Sequence, residues 1–344
     1  MLAHIAHAQG APSSTLVLTA ERLPENENDL GRALTDALRW LGEQGLEGIT
    51  KIALIGQAEH PLFDLDYRFV QVLPGDPPRF DFRGSCGHSV LSSVVVASRL
   101  GWIGKLAPEH RVRVRVLNTD DHVVCEVDEC VRDKTTFTAH FLNHPSVALE
   151  ELLPFGETTT DLPYSGGTIR VSAVSVGNPY LFVSGHDLGV DTKDELFADN
   201  PELFDTMTAI RRSAAAQYGW PVDGAFPKVA AVIPDGEDKL AVRAVSVPSW
   251  HPTLALTGAV CLGAARQIRG TIPYQLAGEH CEGPLEIRTK GGVTTSAAAV
   301  SGHDRDSRLS WVSVPHKAVA FTGEVTIDSL RPHVRKEDTC LLST

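Results

Sequence analysis

The sequence predicts an α+β fold in two similar halves, each a curved, mainly antiparallel sheet wrapped around one buried helix. Three observations carry this prediction. Short runs rich in Val, Ile, Thr and aromatic residues recur along the chain, separated by Gly, Pro, Asn and Asp. Two helical stretches, about residues 86–100 and about 257–268, are apolar or small nearly all round, and a helix without a polar face must be enclosed. Each lies well inside its own block of strands. A length of 344 residues suits two domains with a core each. No residue-level repeat is visible, so the twofold layout rests on pattern.

Taken in order, STLVLTA reads as a strand, and residues 29–41 as an amphipathic surface helix. TKIALIG and YRFVQVL are strands that lead to the first enclosed helix. RVRVRVLN and HVVCEVD follow, and the alternating Arg111, Arg113 and Arg115 read as one solvated strand face. A break falls near Ser165-Gly166-Gly167. The second half has TIRVSAVSV, one or two helices within residues 192–218, then KVAAVIP and LAVRAVSV. The second enclosed helix and a long final strand, WVSVPHKAVAFTGEV, complete it. This predicts domains at 1–166 and 167–335 and a tail at 336–344.

Composition narrows the function. Hydrophobic residues make up 42% and charged residues 22%, as in an ordinary soluble protein. A net charge of −12 without a basic stripe argues against nucleic acid. No apolar run reaches membrane-span length, and MLAHIAHAQG lacks the pattern of a signal peptide. The six cysteines are scattered, so neither a zinc site nor a disulfide framework is indicated, and the expected location is cytoplasmic. His4 with His7, and Asp120 and Asp121 with His122, match no metal template, so no metal is expected. GxGxxG, GxxxxGK[ST] and GxSxG are all absent.

Three places have chemical potential. In Ser85-Cys86-Gly87-His88-Ser89 a helix begins beside a thiol. Free first-turn N–H groups can hold a carboxylate there and favour a thiolate. A small buried cysteine at a helix start is the plainer reading of Cys86 by itself. The second helix start, His251 to Gly258, offers Thr257 and a close-approach backbone, or simply a threonine N-cap. Lys51 enters an apolar strand; it is either a base whose pKa burial lowers or a strand-end lysine reaching for water.

A resemblance chooses among these readings. Thr50-Lys51-Ile-Ala-Leu-Ile55 is similar to the TSKVAII-like segment of the PrpF family, and Asp66-Tyr67-Arg-Phe69-Val-Gln71-Val72 to its DYxFxQV strand. Ser85 to His88 sits where that family has NCGN, and Gly177-Asn178-Pro179 with Phe182-Val183 resembles GNPxxFV. His251-Pro252 with Thr257-Gly258-Ala259 resembles HxAxxxTGA, and Gly323-Glu324-Val325 the closing GEV. The matches keep the family's order over nearly the whole chain.

The resemblance implies two diaminopimelate-epimerase-like domains with a site in the cleft between them. It implies a cofactor-free isomerase that moves or isomerises a C=C bond in a small di- or tricarboxylic acid, aconitate-, methylaconitate- or itaconate-like. Lys51 and Cys86 are the implied proton-transfer pair. Ser13, Ser14, Thr15, Ser85, Gly87, His88, Ser89, Asn178, His251, Thr257 and Gly258 are the implied substrate-binding residues. The expected partner is the small polycarboxylate alone, with no nucleic acid or membrane, and the expected state is a monomer or homodimer. A racemase, epimerase or tautomerase on the same scaffold is the alternative, as is a catalytically silent metabolite-binding homologue.

Two-thiol racemases of this superfamily place a second cysteine just before the second helix start. Here that stretch is Leu254-Ala255-Leu256-Thr257, and Cys261 comes one turn later, facing the core. Four segments depart from the family pattern. RGGTSKG is replaced by Gly10 to Leu16, and a glycine-rich stretch is cut to Gln44 to Gly48. The family Asn is His88, and HPSG is replaced by Arg288 to Val293, read as a solvated hairpin. These departures imply a divergent member that recognises a different acid.

Overall fold

A computed structural model describes residues 1–278, 283–302 and 306–334. The expected tail at 336–344, Cys281 and Cys340 lie outside the described residues. The first run of elements is β1 (Leu2–Ala8), β2 (Thr15–Thr19), α1 (Glu27–Glu43), β3 (Lys51–Gln57), β4 (Leu65–Leu73), β5 (Arg79–Asp81), α2 (Gly87–Arg99), β6 (Arg111–Val116), β7 (Asp121–Val131) and β8 (Lys134–Ala148). After β9 (Thr160–Tyr164) a second run follows: β10 (Gly167–Val176), β11 (Asn178–Ser184), α3 (Lys193–Phe197), α4 (Pro201–Gln217), β12 (Lys228–Gly236), β13 (Lys239–Ser246) and β14 (Ser249–Trp250). It continues with α5 (Leu256–Ala265), α6 (Ile272–Ala277), β15 (Leu285–Thr289), β16 (Gly292–Ser301) and β17 (Arg308–Thr326).

The two runs repeat one another. β1–β2 and β10–β11 are antiparallel pairs. A surface helix then returns the chain to a parallel partner, β3 on β2 and β12 on β11. Each partner pairs antiparallel with the next strand, β4 or β13, which in turn lies parallel to β6 or β15. Between these last two strands the chain runs through the buried helix, α2 or α5. The remaining pairings are antiparallel, so the sheet is mainly antiparallel as expected. The long strand β17 pairs with β16, β8 and β1 and so stitches the two lobes together.

Local sequence explains the layers. In β3, Ala53 and Ile55 join the core around α2, while Ile52 and Leu54 pack under α1. Period-2 alternation therefore turns Lys51 toward α2. In β12, Ala230 and Val232 join the same central core, and Val229, Ala231 and Ile233 pack under α4, so Lys228 also faces the centre. Helix α1 starts where the Asn26 side chain accepts from the Asp29 N–H at 2.8 Å, a cap contributing about 1 kcal/mol. Its Leu30, Leu34 and Leu41 are fully buried. In α2, Val90, Leu91, Val94 and Val96 are fully buried, each contributing roughly 1.5–3 kcal/mol. Ser92 and Ser93 hydroxyls donate to the carbonyls one turn back, so this apolar helix buries no unpaired serine.

Some expectations need adjusting. Residues 192–218 hold two helices, because Asn200 caps a new one with Pro201 at its first position. The second enclosed helix starts at Leu256, with Ala255 as N-cap, so Thr257 lies inside the first turn and is not the cap. The arginines of β6 are ion-paired across the sheet as well as solvated: Arg111 with Glu126, Arg113 with Asp64 and Arg115 with Asp66.

Candidate active site

Both buried helices begin where the lobes meet. Gly87, at the start of α2, leaves space that a Cβ would close: it would lie 2.6 Å from Leu256 Cδ2 at the start of α5. Asn178, at the start of β11, clamps the two starts together. Its Oδ1 accepts from the Ser85 N–H at 2.8 Å, and its Nδ2 donates to the Ser85 carbonyl at 2.7 Å and to Thr257 Oγ1 at 3.0 Å. Asp81 makes a second crossing, accepting from the Ala225 N–H at 2.9 Å.

Cys86 is the N-cap residue of α2, and Lys51 opens β3. Register places Lys51 between Thr15 of β2 and Gln71 of β4. Thr15 Oγ1 meets Ser89 Oγ at 2.9 Å, which ties β2 to the first turn of α2. The Lys51 amine lies near enough to the Cys86 thiol for its charge to act on it. Burial by itself pushes the Cys86 thiol up. The charge of Lys51 and hydrogen bonds from Ser89 and Lys51 outweigh it, and the thiol lies below its ordinary value. The pair is enclosed, with Lys51 5% and Cys86 7% exposed.

Around this pair three polar atoms are left without partners. Ser85 Oγ, His88 Nδ1 and His251 Nε2 are buried and make no hydrogen bond. The His88 and His251 rings stack at 6.3 Å, one from each lobe. Burial first, and then the Lys51 charge, hold both imidazoles well below their ordinary range, so both are neutral at pH 7. His251 Nδ1 accepts from the Thr253 N–H at 3.1 Å, which puts the ring proton on the unpartnered Nε2. Among the described residues, no carboxylate lies within ion-pair distance of Lys51. Buried donors and cations without acceptors make a space suited to an anion.

The structure thus brings together Lys51, Cys86, Thr15, Ser85, Gly87, His88, Ser89, Asn178, His251, Thr257 and Gly258. Ser13 and Ser14 lie at the edge: Ser13 Oγ meets Thr50 Oγ1 at 2.7 Å, and Ser14 Oγ meets His7 Nδ1 at 3.4 Å. Cys261 is fully buried, donates to the Val174 carbonyl, and burial pushes it up to about 12. Arg288 and Lys290 are held by Asp235 and Asp199 on the surface hairpin. Among the described residues, no group of three or more His, Cys, Asp or Glu is placed to hold a metal ion.

Two lysines escaped the sequence reading. Lys228 occupies in the second run the place that Lys51 has in the first, the opening residue of the inner parallel strand. It is 7% exposed and lies 4.8 Å from the Phe226 ring. Burial, then repulsion from Lys51 and Arg211, lowers it to about 8. Lys317 in β17 is half-buried, donates to Thr294 Oγ1 at 2.7 Å, and burial lowers it to about 8. The available signal for Lys228 was a lysine opening the apolar strand KVAAVIP, as Lys51 opens TKIALIG.

Comparison with known proteins agrees with this layout. The family described as PrpF protein matches residues 4–328. The 3-methylitaconate isomerase of Eubacterium barkeri is 28% identical over 276 residues, covering 68% of this chain and 72% of that protein. The 2-methyl-aconitate isomerase of Cupriavidus necator is 26% identical, covering 78% and 83%. The crystal structure of a methylitaconate-delta-isomerase superposes with a TM-score of 0.63 at 22% identity, over 96% of this chain and 97% of that one, which shows the shared epimerase-like fold.

Proposed function

Because this chain belongs to the PrpF family and is an isomerase, we propose that it shifts a C=C bond in a small di- or tricarboxylic acid by 1,3-proton transfer, with Lys51 and Cys86 as the pair that moves the proton. The observation that carries this reading is the enclosed Lys51–Cys86 contact, set among unpartnered donors from both lobes. The lowered thiol favours a thiolate beside an ammonium, so the pair holds one place to take a proton and one proton to give.

In the proposed reaction the Cys86 thiolate takes a proton from the allylic carbon. The electron pair of the broken C–H bond delocalises through the C=C bond into the adjacent carboxylate. The Lys51 ammonium then returns a proton two carbons away, and the double bond has moved. The helix N-termini, Ser85 and His251 Nε2 face the growing carboxylate charge and stabilise it without reorganising. Entry of the acid requires the lobes to part, since both groups are enclosed. The division into domains at 1–166 and 167–335 belongs to this proposal, and the repeated element order supports it. The position before the second helix holds Ala255 rather than a thiol, which disfavours a two-thiol racemase.

The test uses methylitaconate, methylaconitate and cis-aconitate in deuterium oxide, followed by proton NMR. The wild-type protein is expected to shift the double bond of at least one acid and to load deuterium at the two termini of the allylic system. Normal isomerisation by both Lys51→Met and Cys86→Ala would overturn the assignment.

A further inference from the structure

A cavity of about 160 Å³ opens beside the site and takes no part in the proton transfer. Gly10, Thr253, Thr289, Gly291, Thr294 and Lys317 lie in its wall, and no acidic side chain lines it among the described residues. It adjoins the site through Thr253. The Thr253 N–H donates to His251 Nδ1, and its hydroxyl donates to the Gly10 carbonyl at 2.9 Å. The loops meet backbone to backbone here, since a Cβ on Gly291 would lie 2.6 Å from the Pro252 carbonyl. The cavity holds several waters' worth of space, enough for a carboxylate and its methylene.

The backbone turns Lys317 into this cavity on purpose. Strand β17 pairs regularly with β8 from Trp311 to Val314, then slips its register before Lys317. At the slip His316 takes a left-handed φ of 55°, unusual for a residue with a side chain. His316 faces solvent near Asp128, and Lys317 turns inward. Its charge reaches both His88 and His251. Thr294 accepts one of its three protons, and among the described residues no acid accepts the others.

The geometry points to a carboxylate subsite in this cavity, where Lys317 grips the second carboxylate of a substrate whose first carboxylate lies at the helix starts beside Lys51 and Cys86. The inference rests on the proposed function and sharpens it: Lys317 is the residue that reads the second carboxylate, and it determines specificity rather than transferring the proton. Desolvation disfavours the charged ammonium in the free protein, and an incoming carboxylate supplies the missing counter-charge.

Calorimetric titration with tricarballylate and with butyrate tests it, on the wild-type protein and on Lys317→Met and Lys317→Arg. Tricarballylate is expected to bind wild type more tightly than butyrate. Lys317→Met is expected to weaken tricarballylate about tenfold to a hundredfold, to leave butyrate unchanged, and to be largely rescued by Lys317→Arg. Unchanged butyrate binding shows that the variant is folded. Tricarballylate binding that Lys317→Met does not alter, or an equal loss for both acids, overturns the subsite while leaving the proposed function standing. Failure of wild type to bind either acid overturns both.

Discussion

The two lobes share an element order but not a chemistry. Both open their inner parallel strand with a lysine, Lys51 and Lys228, and both run into a buried helix at the seam. In the first lobe the N-cap is Cys86, and Thr15 ties back to Ser89. In the second the N-cap is Ala255, and the phenol of Tyr180, register partner of Lys228, fills the space over the helix start. A Cβ on Gly258 would lie 2.6 Å from that phenol oxygen. One lobe therefore presents the thiol and amine, while the other supplies a cation, a wall and the Asn178 clamp. Duplication gives two equivalent frames, and the residue at the helix start decides which one holds a thiol beside its lysine.

The sharpest way to break this comparison is to remove the pairs separately. Cys86→Ala and Lys51→Met should each lower kcat by about 10²–10⁴, whereas Lys228→Met should lower kcat/KM by about tenfold, mainly by raising KM. Equal losses from Lys51→Met and Lys228→Met in steady-state assays would mean that the lobes share the chemistry. Asn178→Ala should destabilise the fold by about 3 kcal/mol in denaturant melts. It leaves the buried Ser85 N–H and carbonyl without their partner.

A smaller effect separates the lysines electrostatically. Lys51→Met should raise the Cys86 pKa toward the range that burial alone would set, read as a shift of the iodoacetamide rate profile to higher pH. Lys228→Met should shift that profile much less, because Lys51 and not Lys228 is the charge that lowers the thiol. The smallest expected effect is on pH. Free Lys228 and Lys317 titrate near 8, below the ordinary lysine value, so each loses its charge as pH rises through 8. Tricarboxylate affinity should then fall. A bound anion raises both pKa values, so binding should take up protons between about pH 8 and 9, seen as a buffer-dependent enthalpy.

Much of this was legible before any coordinates. The all-round apolar character of HSVLSSVVVASRL allowed only an enclosed helix, whereas the strand after Lys51 is apolar on both faces and left that lysine either buried or reaching for water. Strand β1, LAHIAHA, was harder to see, because alternating Ala and His has no clear apolar face until β17 and β2 pair with it. The internal repeat showed only as a pattern of strands and enclosed helices, because it keeps strand pairing and helix placement rather than residue types. Lys317 was missed because its direction depends on a register slip at Pro315-His316, set by the partner strand β8.

The sequence by itself determined the α+β class, the two enclosed helices and the lysine and thiol at their strand and helix starts. These follow from periodicity and from the cost of burying polar surface, both local properties. Only the tertiary structure decided that Lys51 meets Cys86, that Ser85, His88 and His251 are left without partners, and that Lys228 and Lys317 both lie near enough for their charges to act on His251. Those facts depend on strand pairing and helix packing between segments distant along the chain, and no short-range pattern encodes that.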